Sequence, residues 1–448
     1  MEKIIKNKEY IVEIIDNGYQ GEGIAKIDSF TIFIPNAIKG EKVKIIIVKV
    51  TASHAYGKII EILNKSEHRV EVDCNTYKRC GGCVLRHMSY EKTLDLKRNI
   101  VENNFQKLKI DVNVNDTIGM KEPYHYRNKL KYPIGQDKNG NMIIGVYAER
   151  THEIIPTDNC YIQNEEINKI ANTVYEFLRD NKIQAYNEDT ERGIVRHIIV
   201  KIGIKTNEVM IILVVNDTTI PLKKELIKYV LAKHKNVKTI VKNINTKKTN
   251  VILGGKNEVI YGDGYIYDYL EEYKFKISPM SFYQVNPIQT EVLYSKAIEY
   301  AKLKGNERVL DLYCGIGTIG IFAAKYAKEV YGIEIVEDAI KDAKQNAKIN
   351  NIENIEFMVG DVGTVLKARN NEIDVVFVDP PRAGLDDNTV NKLLEIEAKK
   401  IVYISCSPAT LARDVDILSK KYNVGDVQPV DMFPYTSHIE SVCLLKLK

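Results

Sequence analysis

At 448 residues the chain is too long for one hydrophobic core, and roughly two to four domains are expected. Its residues are 44% hydrophobic and 28% charged, the balance of a folded chain, and no apolar run reaches the ~20 residues needed to span a bilayer. A net charge of +4 tolerates a nucleic-acid partner without arguing for one, so a local basic surface has to decide.

The first residues, Met1-Glu2-Lys3-Ile4-Ile5-Lys6, lead into no long apolar stretch, so no export signal is expected. The seven cysteines are an odd number, which with that start points to the reducing cytoplasm. Metal binding or catalysis is then a better use for them than disulfides.

Residues 1–63 alternate short β-rich runs with glycine turns: Tyr10–Ile15, Ile24–Ile27, Thr31–Ile34, Val43–Val50 and Gly57–Ile62. That spacing predicts a small barrel of the oligonucleotide-binding kind. The turn Pro35-Asn36-Ala37-x-x-Gly40-Glu41-x-Val43 resembles that of the TRAM domain found on RNA-modifying enzymes, a likeness that implies an RNA contact.

Residues 64–260 form the expected central α+β domain. Cys74, Cys80 and Cys83 fall within ten residues, and the glycines at 81 and 82 let Cys80 and Cys83 converge on one centre. Cys160 is the nearby candidate for a fourth ligand. A set of four cysteines suits zinc or an iron–sulfur cluster equally by ligand type. The single Cys-x-x-Cys knuckle, where a zinc ribbon would use two, tilts the expectation towards a cluster.

Tyr90 to Leu108 reads as a helix with Leu94, Val101, Phe105 and Leu108 on one face, and Lys92, Lys97, Arg98 and Lys107 on a solvated basic side. Pro123 to Lys131 interleaves aromatics with cations, which suits single-stranded RNA or an ordinary half-exposed strand. Further on, Ile198–Ile204 and Val209–Val215 read as paired strands and Leu222–Lys235 as an amphipathic helix. No catalytic constellation lies between them.

Residues 261–448 carry the chemistry. Ser278 to Pro287 leads into a helix, and Arg308 to Thr318 passes from a buried strand through the glycine loop Cys314-Gly315-Ile316-Gly317 into another. The next strand ends in Glu334, placed for the two hydroxyls of a ribose. The loop lacks the third glycine of a dinucleotide site, so an adenosine carrier without phosphates, S-adenosylmethionine, fits better. A third strand ends at Asp361, near where an adenine amine would lie. A fourth ends in Asp379-Pro380-Pro381-Arg382. Arginine where amine methylases hold an aromatic ring points to carbon as the methyl acceptor. The alternation of β and α segments predicts a doubly wound parallel sheet. Cys406 then stands at the C-terminal tip of an apolar strand, and Glu440 opens the last one.

Taken in order, Phe282-x-Gln284-x-Asn286, Asp311-Leu-Tyr-Cys-Gly-Ile-Gly317, Asp379-Pro-Pro-Arg-x-Gly384, Ser405-Cys406-x-Pro408 and His438-x-Glu440 resemble the RNA uracil-5-methyltransferases. With the barrel and the cysteines, the resemblance is to the branch acting on 23S ribosomal RNA that carries a four-iron four-sulfur (4Fe-4S) cluster. It implies a TRAM barrel, a central domain holding a cluster on Cys74, Cys80, Cys83 and Cys160, and a class I methyltransferase domain. Residues near 91–120 are then expected to pack on the catalytic domain. The implied cofactor positions are Gln284, Tyr313, Glu334 and Asp379, with Thr318 and Asp361 departing from some members.

The implied chemistry is addition of the Cys406 thiolate to carbon 6 of a flipped uridine, methylation of carbon 5, and removal of the carbon 5 proton by Glu440. Backbone amides at the strand end are expected to favour the thiolate. Cys314 and Cys443 read as packing residues, and His438 and His87 as structural. The partner is an RNA, met by a single chain away from any membrane. The rival readings are a cytosine-5 enzyme, a transfer-RNA uracil enzyme and a non-catalytic scaffold. Pro381-Arg382 lacks the cysteine of the first, and the barrel and cysteines argue against the second. Intact Cys406 and Glu440 argue against the third.

Overall fold

The computed structural model describes residues 4–362 and 373–448. The N-terminal barrel comprises strands Glu9–Glu13, Asp16–Asn17, Gly23–Ile27, Phe30–Ile34, Lys42–Val50 and His54–Asn64. The sequence anticipated all but the two-residue Asp16–Asn17. Every second residue points inward, so Ile32, Ile34, Val43, Ile45 and Ile47 are wholly buried.

The central sheet runs, edge to edge, Lys256–Tyr261, Val237–Ile244, Val209–Val215, Val195–Ile202, Lys129–Gln136, Met142–Tyr147 and Ile154–Pro156. Its middle strands, Val195–Ile202 and Val209–Val215, are buried along their whole length because both faces are covered. Ile198, Ile211 and Leu213 pack under the helices Glu165–Asp180 and Lys223–Lys233. Ile199, Met210 and Ile212 join the core of the catalytic half, with Phe275, Leu293 and Phe377.

The catalytic sheet has the order Ile355–Val359, Glu329–Glu334, Arg308–Leu312, Val375–Val378, Lys400–Ser405, Glu440–Leu447, Tyr422–Val430. The first five strands are parallel, as expected for a doubly wound fold. Glu440–Leu447 is antiparallel to both its neighbours, which corrects the all-parallel expectation: it follows Tyr422–Val430 without a crossover helix. Strand order reverses between Arg308–Leu312 and Val375–Val378, so a ligand crevice opens at their C-terminal ends.

Helix Tyr90–Lys107 lies against the catalytic half, where Leu96, Ile100, Val101 and Phe105 share a core with Tyr403 and Leu411. Two expectations for it fail. Lys97, assigned to a solvated side, is wholly buried, and Leu108 is 43% exposed. The helix is covered on a wider arc than its apolar residues mark, because an acid on the catalytic half meets Lys97, and Leu108 caps the helix end in solvent.

Candidate active site

The tips of the parallel strands bring the expected cofactor residues to one crevice. Tyr313 follows Arg308–Leu312 in a left-handed conformation (φ 62°), a strained state for a side-chain-bearing residue, and turns the chain into the glycine loop. At Gly315, also left-handed, an added Cβ would meet nothing within 4 Å, so the backbone there is open to a ligand. Gly315 N donates to Glu334 Oε2 at 3.2 Å and Val336 N to Oε1 at 3.0 Å, which fixes the Glu334 carboxylate beside the loop. Ile335, immediately after it, is 68% exposed and offers an apolar surface for an adenine face.

Gln284 arrives on a loop built by two domains. Asn286 caps helix Pro287–Ala301 and donates from Nδ2 to Met432 O at 3.0 Å. From the central domain, Asn128 Nδ2 donates to Gln284 O at 3.0 Å. Lys201 Nζ donates to the carbonyls of Ser278, Pro279 and Ser281 at 2.9, 3.0 and 3.3 Å. Neither Asn128 nor Lys201 was singled out from sequence, since their partners lie far along the chain.

Four acids bound the crevice. Asp311 is wholly buried; its Oδ2 accepts from Gly320 N at 2.8 Å while its Oδ1 is buried with no partner. Burial, then Asp379 and Glu334, pushes its carboxyl up to about 8. Burial pushes Asp379 up to about 7, and burial and Asp379 hold Glu440 well above the usual carboxylate range. Asp311 opens the glycine motif, so a sequence signal for it existed although it was not assigned a role. Crowded carboxyls with an orphaned oxygen fit a cationic ligand, and S-adenosylmethionine carries both a sulfonium and an ammonium.

Cys406 stands half-buried between strand Lys400–Ser405 and helix Pro408–Leu418. In the antiparallel pairing with Glu440–Leu447, Ser405 lies opposite Ser441, which brings Cys406 to the level of Glu440. Arg382 approaches from a loop tied to the same helix, with Arg413 Nη2 donating to Ala383 O at 3.0 Å and Leu385 N to Asp414 Oδ2 at 2.8 Å. Gly384 (φ 78°) permits that approach, since an added Cβ would stand 2.5 Å from Arg413. Burial, then Glu440 and Asp379, pushes the Cys406 thiol up to about 11, with Arg382 opposing. This direction runs against the expected bias towards thiolate, with burial, Glu440 and Asp379 outweighing Arg382 and the strand-end backbone.

Cys314 and Cys443 are buried, as read. Cys74, Cys80, Cys83 and Cys160 are half-buried free thiols that influence one another; burial, then Cys160, Cys80 and Cys74, holds Cys83 up at about 12. Yet among the described residues no group of three or more His, Cys, Asp or Glu side chains is placed to hold a metal ion. The four thiols nonetheless gather in one region of the central domain, close enough to influence one another.

A family model described as tRNA (uracil-5-)-methyltransferase matches residues 89–448. The chain belongs to that family. A TRAM-domain model matches residues 6–60. An uncharacterized RNA methyltransferase of Clostridium acetobutylicum is 47% identical over 458 residues, covering 100% of this chain and 99% of that protein. One from Staphylococcus aureus is 46% identical over 453 residues, covering 100% of each. Among solved structures, the Pyrococcus abyssi tRNA (uracil-54, C5)-methyltransferase bound to S-adenosyl-L-homocysteine superposes with a TM-score of 0.78 at 27% identity, covering 98% of this chain and 100% of that one. The barrel, central domain and methyltransferase sheet thus belong to one architecture shared with that structure. Among the described residues no helix is long and apolar enough to cross a membrane.

Proposed function

We propose that this chain methylates carbon 5 of a uridine in RNA, with Cys406 as nucleophile and Glu440 as base. The observation that carries the reading is the half-exposed thiol held level with a buried carboxyl at the crevice mouth.

Carbon 5 of uracil is too weakly nucleophilic to take a methyl group unaided. Cys406 loses its proton to solvent, and the thiolate forms a bond from Sγ to carbon 6, leaving the electron pair on carbon 5 and the neighbouring oxygen. S-adenosylmethionine, which Gln284, Tyr313, Glu334 and Asp379 would hold, would supply an electrophilic methyl group and leave as S-adenosylhomocysteine. Carbon 5 then bears both the methyl group and its original hydrogen. Glu440 takes that proton, the carbon 5–carbon 6 double bond re-forms, and the Sγ–carbon 6 bond breaks. A buried carboxylate with a raised pKa is a stronger base than a solvated one. Arg382, which faces both groups, offsets the negative charge that collects there.

The substrate proposed is 23S ribosomal RNA, entered as a single-stranded loop with the target base flipped. Support is the sequence likeness to that branch. Transfer RNA is the second reading, because the Pyrococcus abyssi transfer-RNA enzyme spans the barrel as well as the catalytic half; the barrel therefore no longer argues against it. Residence in the cytoplasm as a monomer belongs to the same proposal. So does a 4Fe-4S cluster on Cys74, Cys80, Cys83 and Cys160, for which the gathering of four thiols is the support.

The test is incubation with cofactor and 5-fluorouridine-substituted transcripts of 23S ribosomal RNA and of transfer RNA. Fluorine at carbon 5 cannot leave as a proton, so the Sγ–carbon 6 bond persists. A stable adduct, lost in Cys406→Ala, is expected on one transcript; no adduct on either would refute the reading.

A further inference from the structure

The N-terminal barrel is docked at the edge of the catalytic crevice. Its Ile38 is wholly buried in the same apolar cluster as Tyr403, Leu411 and Ile439, the last being the neighbour of Glu440. The turn between Asp16–Asn17 and Gly23–Ile27 is held firmly to that dock. Asn17 Nδ2 donates to Ala37 O at 2.9 Å and to Gly21 O at 3.3 Å, and Asn17 Oδ1 accepts from Lys39 N at 2.9 Å. Gly21 (φ 82°) approaches the central domain so closely that an added Cβ would stand 2.1 Å from Leu85 Cδ2. Leu85 N in turn donates to Tyr435 O at 3.0 Å, in the loop that leads to Glu440.

Tyr19 sits at the tip of this turn. Its side chain is 44% exposed; burial raises its hydroxyl above the usual range, with the Arg382 guanidinium opposing and the Cys406 sulfur adding, so both groups lie within electrostatic reach of it. The turn that carries this large ring thus stands beside the Tyr435 loop and within electrostatic reach of Cys406, which is itself only partly buried. An aromatic face is a surface on which any base or ribose packs favourably.

We propose that Tyr19 is a substrate-contacting residue of the catalytic site, its ring covering the target nucleotide once that nucleotide has entered. The barrel then acts as the third wall of the crevice as well as a tether for RNA. This inference rests on the uridine reading above. The turn's anchoring by Asn17 and Gly21 makes the wall a fixed one, so the ring needs no loop closure to reach its place.

The test uses the full-length protein with the 5-fluorouridine transcripts already described. Tyr19→Ala is expected to slow adduct formation roughly tenfold, while Tyr19→Phe, which keeps the ring, stays within about twofold of wild type. Binding of S-adenosylhomocysteine and the thermal midpoint are expected to match wild type in both variants. Adduct formation by Tyr19→Ala at the wild-type rate would overturn the inference. So would equal losses in both variants, or a loss accompanied by weakened cofactor binding and a lower thermal midpoint. Failure of the wild-type protein to form an adduct would instead strike at the uridine reading itself.

Discussion

Lys97 Nζ lies 2.6 Å from Asp431 Oδ1, with neither side chain reaching solvent. Asp431 also accepts from Tyr90 Oη at 2.9 Å and from Phe433 N at 3.2 Å, so a single carboxylate joins helix Tyr90–Lys107 to the segment that leads to Glu440. Removing one partner of such a pair strands a buried charge. Lys97→Ala is expected to destabilise the protein by about 3–5 kcal/mol, read by denaturant unfolding, and replacing both partners by apolar residues to cost less. Equal losses in the single and double variants would contradict this.

The protonation state of Cys406 gives a pH prediction. Only the thiolate reacts with iodoacetamide, and a thiol held up at about 11 is a small fraction thiolate at neutral pH. Alkylation of the Cys406 peptide in cofactor-free protein, followed by mass spectrometry, should therefore rise about tenfold per pH unit from about 8 to 10. Glu440→Gln removes a neighbouring negative charge and should speed the reaction at pH about 8. A plateau already reached near the ordinary thiol pKa of ~8.5 would show the site favouring thiolate after all.

Glu440 acts after methyl transfer, so its loss should trap the enzyme late in the cycle. With ordinary uridine RNA, Glu440→Gln is expected to accumulate a covalent adduct that already carries the new methyl group. Turnover should fall by roughly 10²–10⁴-fold. Unimpaired turnover would assign the proton to another base.

The cysteine cluster makes a metal prediction. Protein purified without oxygen is expected to be brown and to hold about four irons per chain, with iron lost in Cys83→Ser. No step of the proposed reaction transfers electrons, so stripping the iron should weaken RNA binding rather than cofactor binding. Colourless protein, or zinc in place of iron, would remove the cluster from the proposal.

Lys201 holds three carbonyls of the loop that presents Gln284, though burial brings its ammonium down to about 7. Lys201→Met leaves those oxygens without a donor, and a loss of roughly 1–3 kcal/mol in unfolding stability is expected. S-adenosylhomocysteine affinity should fall with it, as measured by calorimetry. Unchanged cofactor affinity would mean the loop keeps its shape without the lysine.

Much of this protein follows from local pattern. Alternation over Val43–Ile47 marks a strand with one buried face, and the continuous apolar run Val209–Val215 marks one with two. The turn residues after Arg308–Leu312 announce a ligand loop because only backbone free of a Cβ lets a cofactor close in. These signals need only near neighbours in the chain, and so the order of elements and the methyltransferase sheet were legible as sequence. The burial of Lys97, the level placement of Cys406 with Glu440, the grip of Asn128 and Lys201 on the Gln284 loop, and the docking of the Gly21 turn on Leu85 were not. Each depends on which distant segments the fold sets side by side. The raised pKa of Cys406 is of the same kind: a thiol's acidity is set by the charges and solvent around it, and those arrive only with tertiary structure.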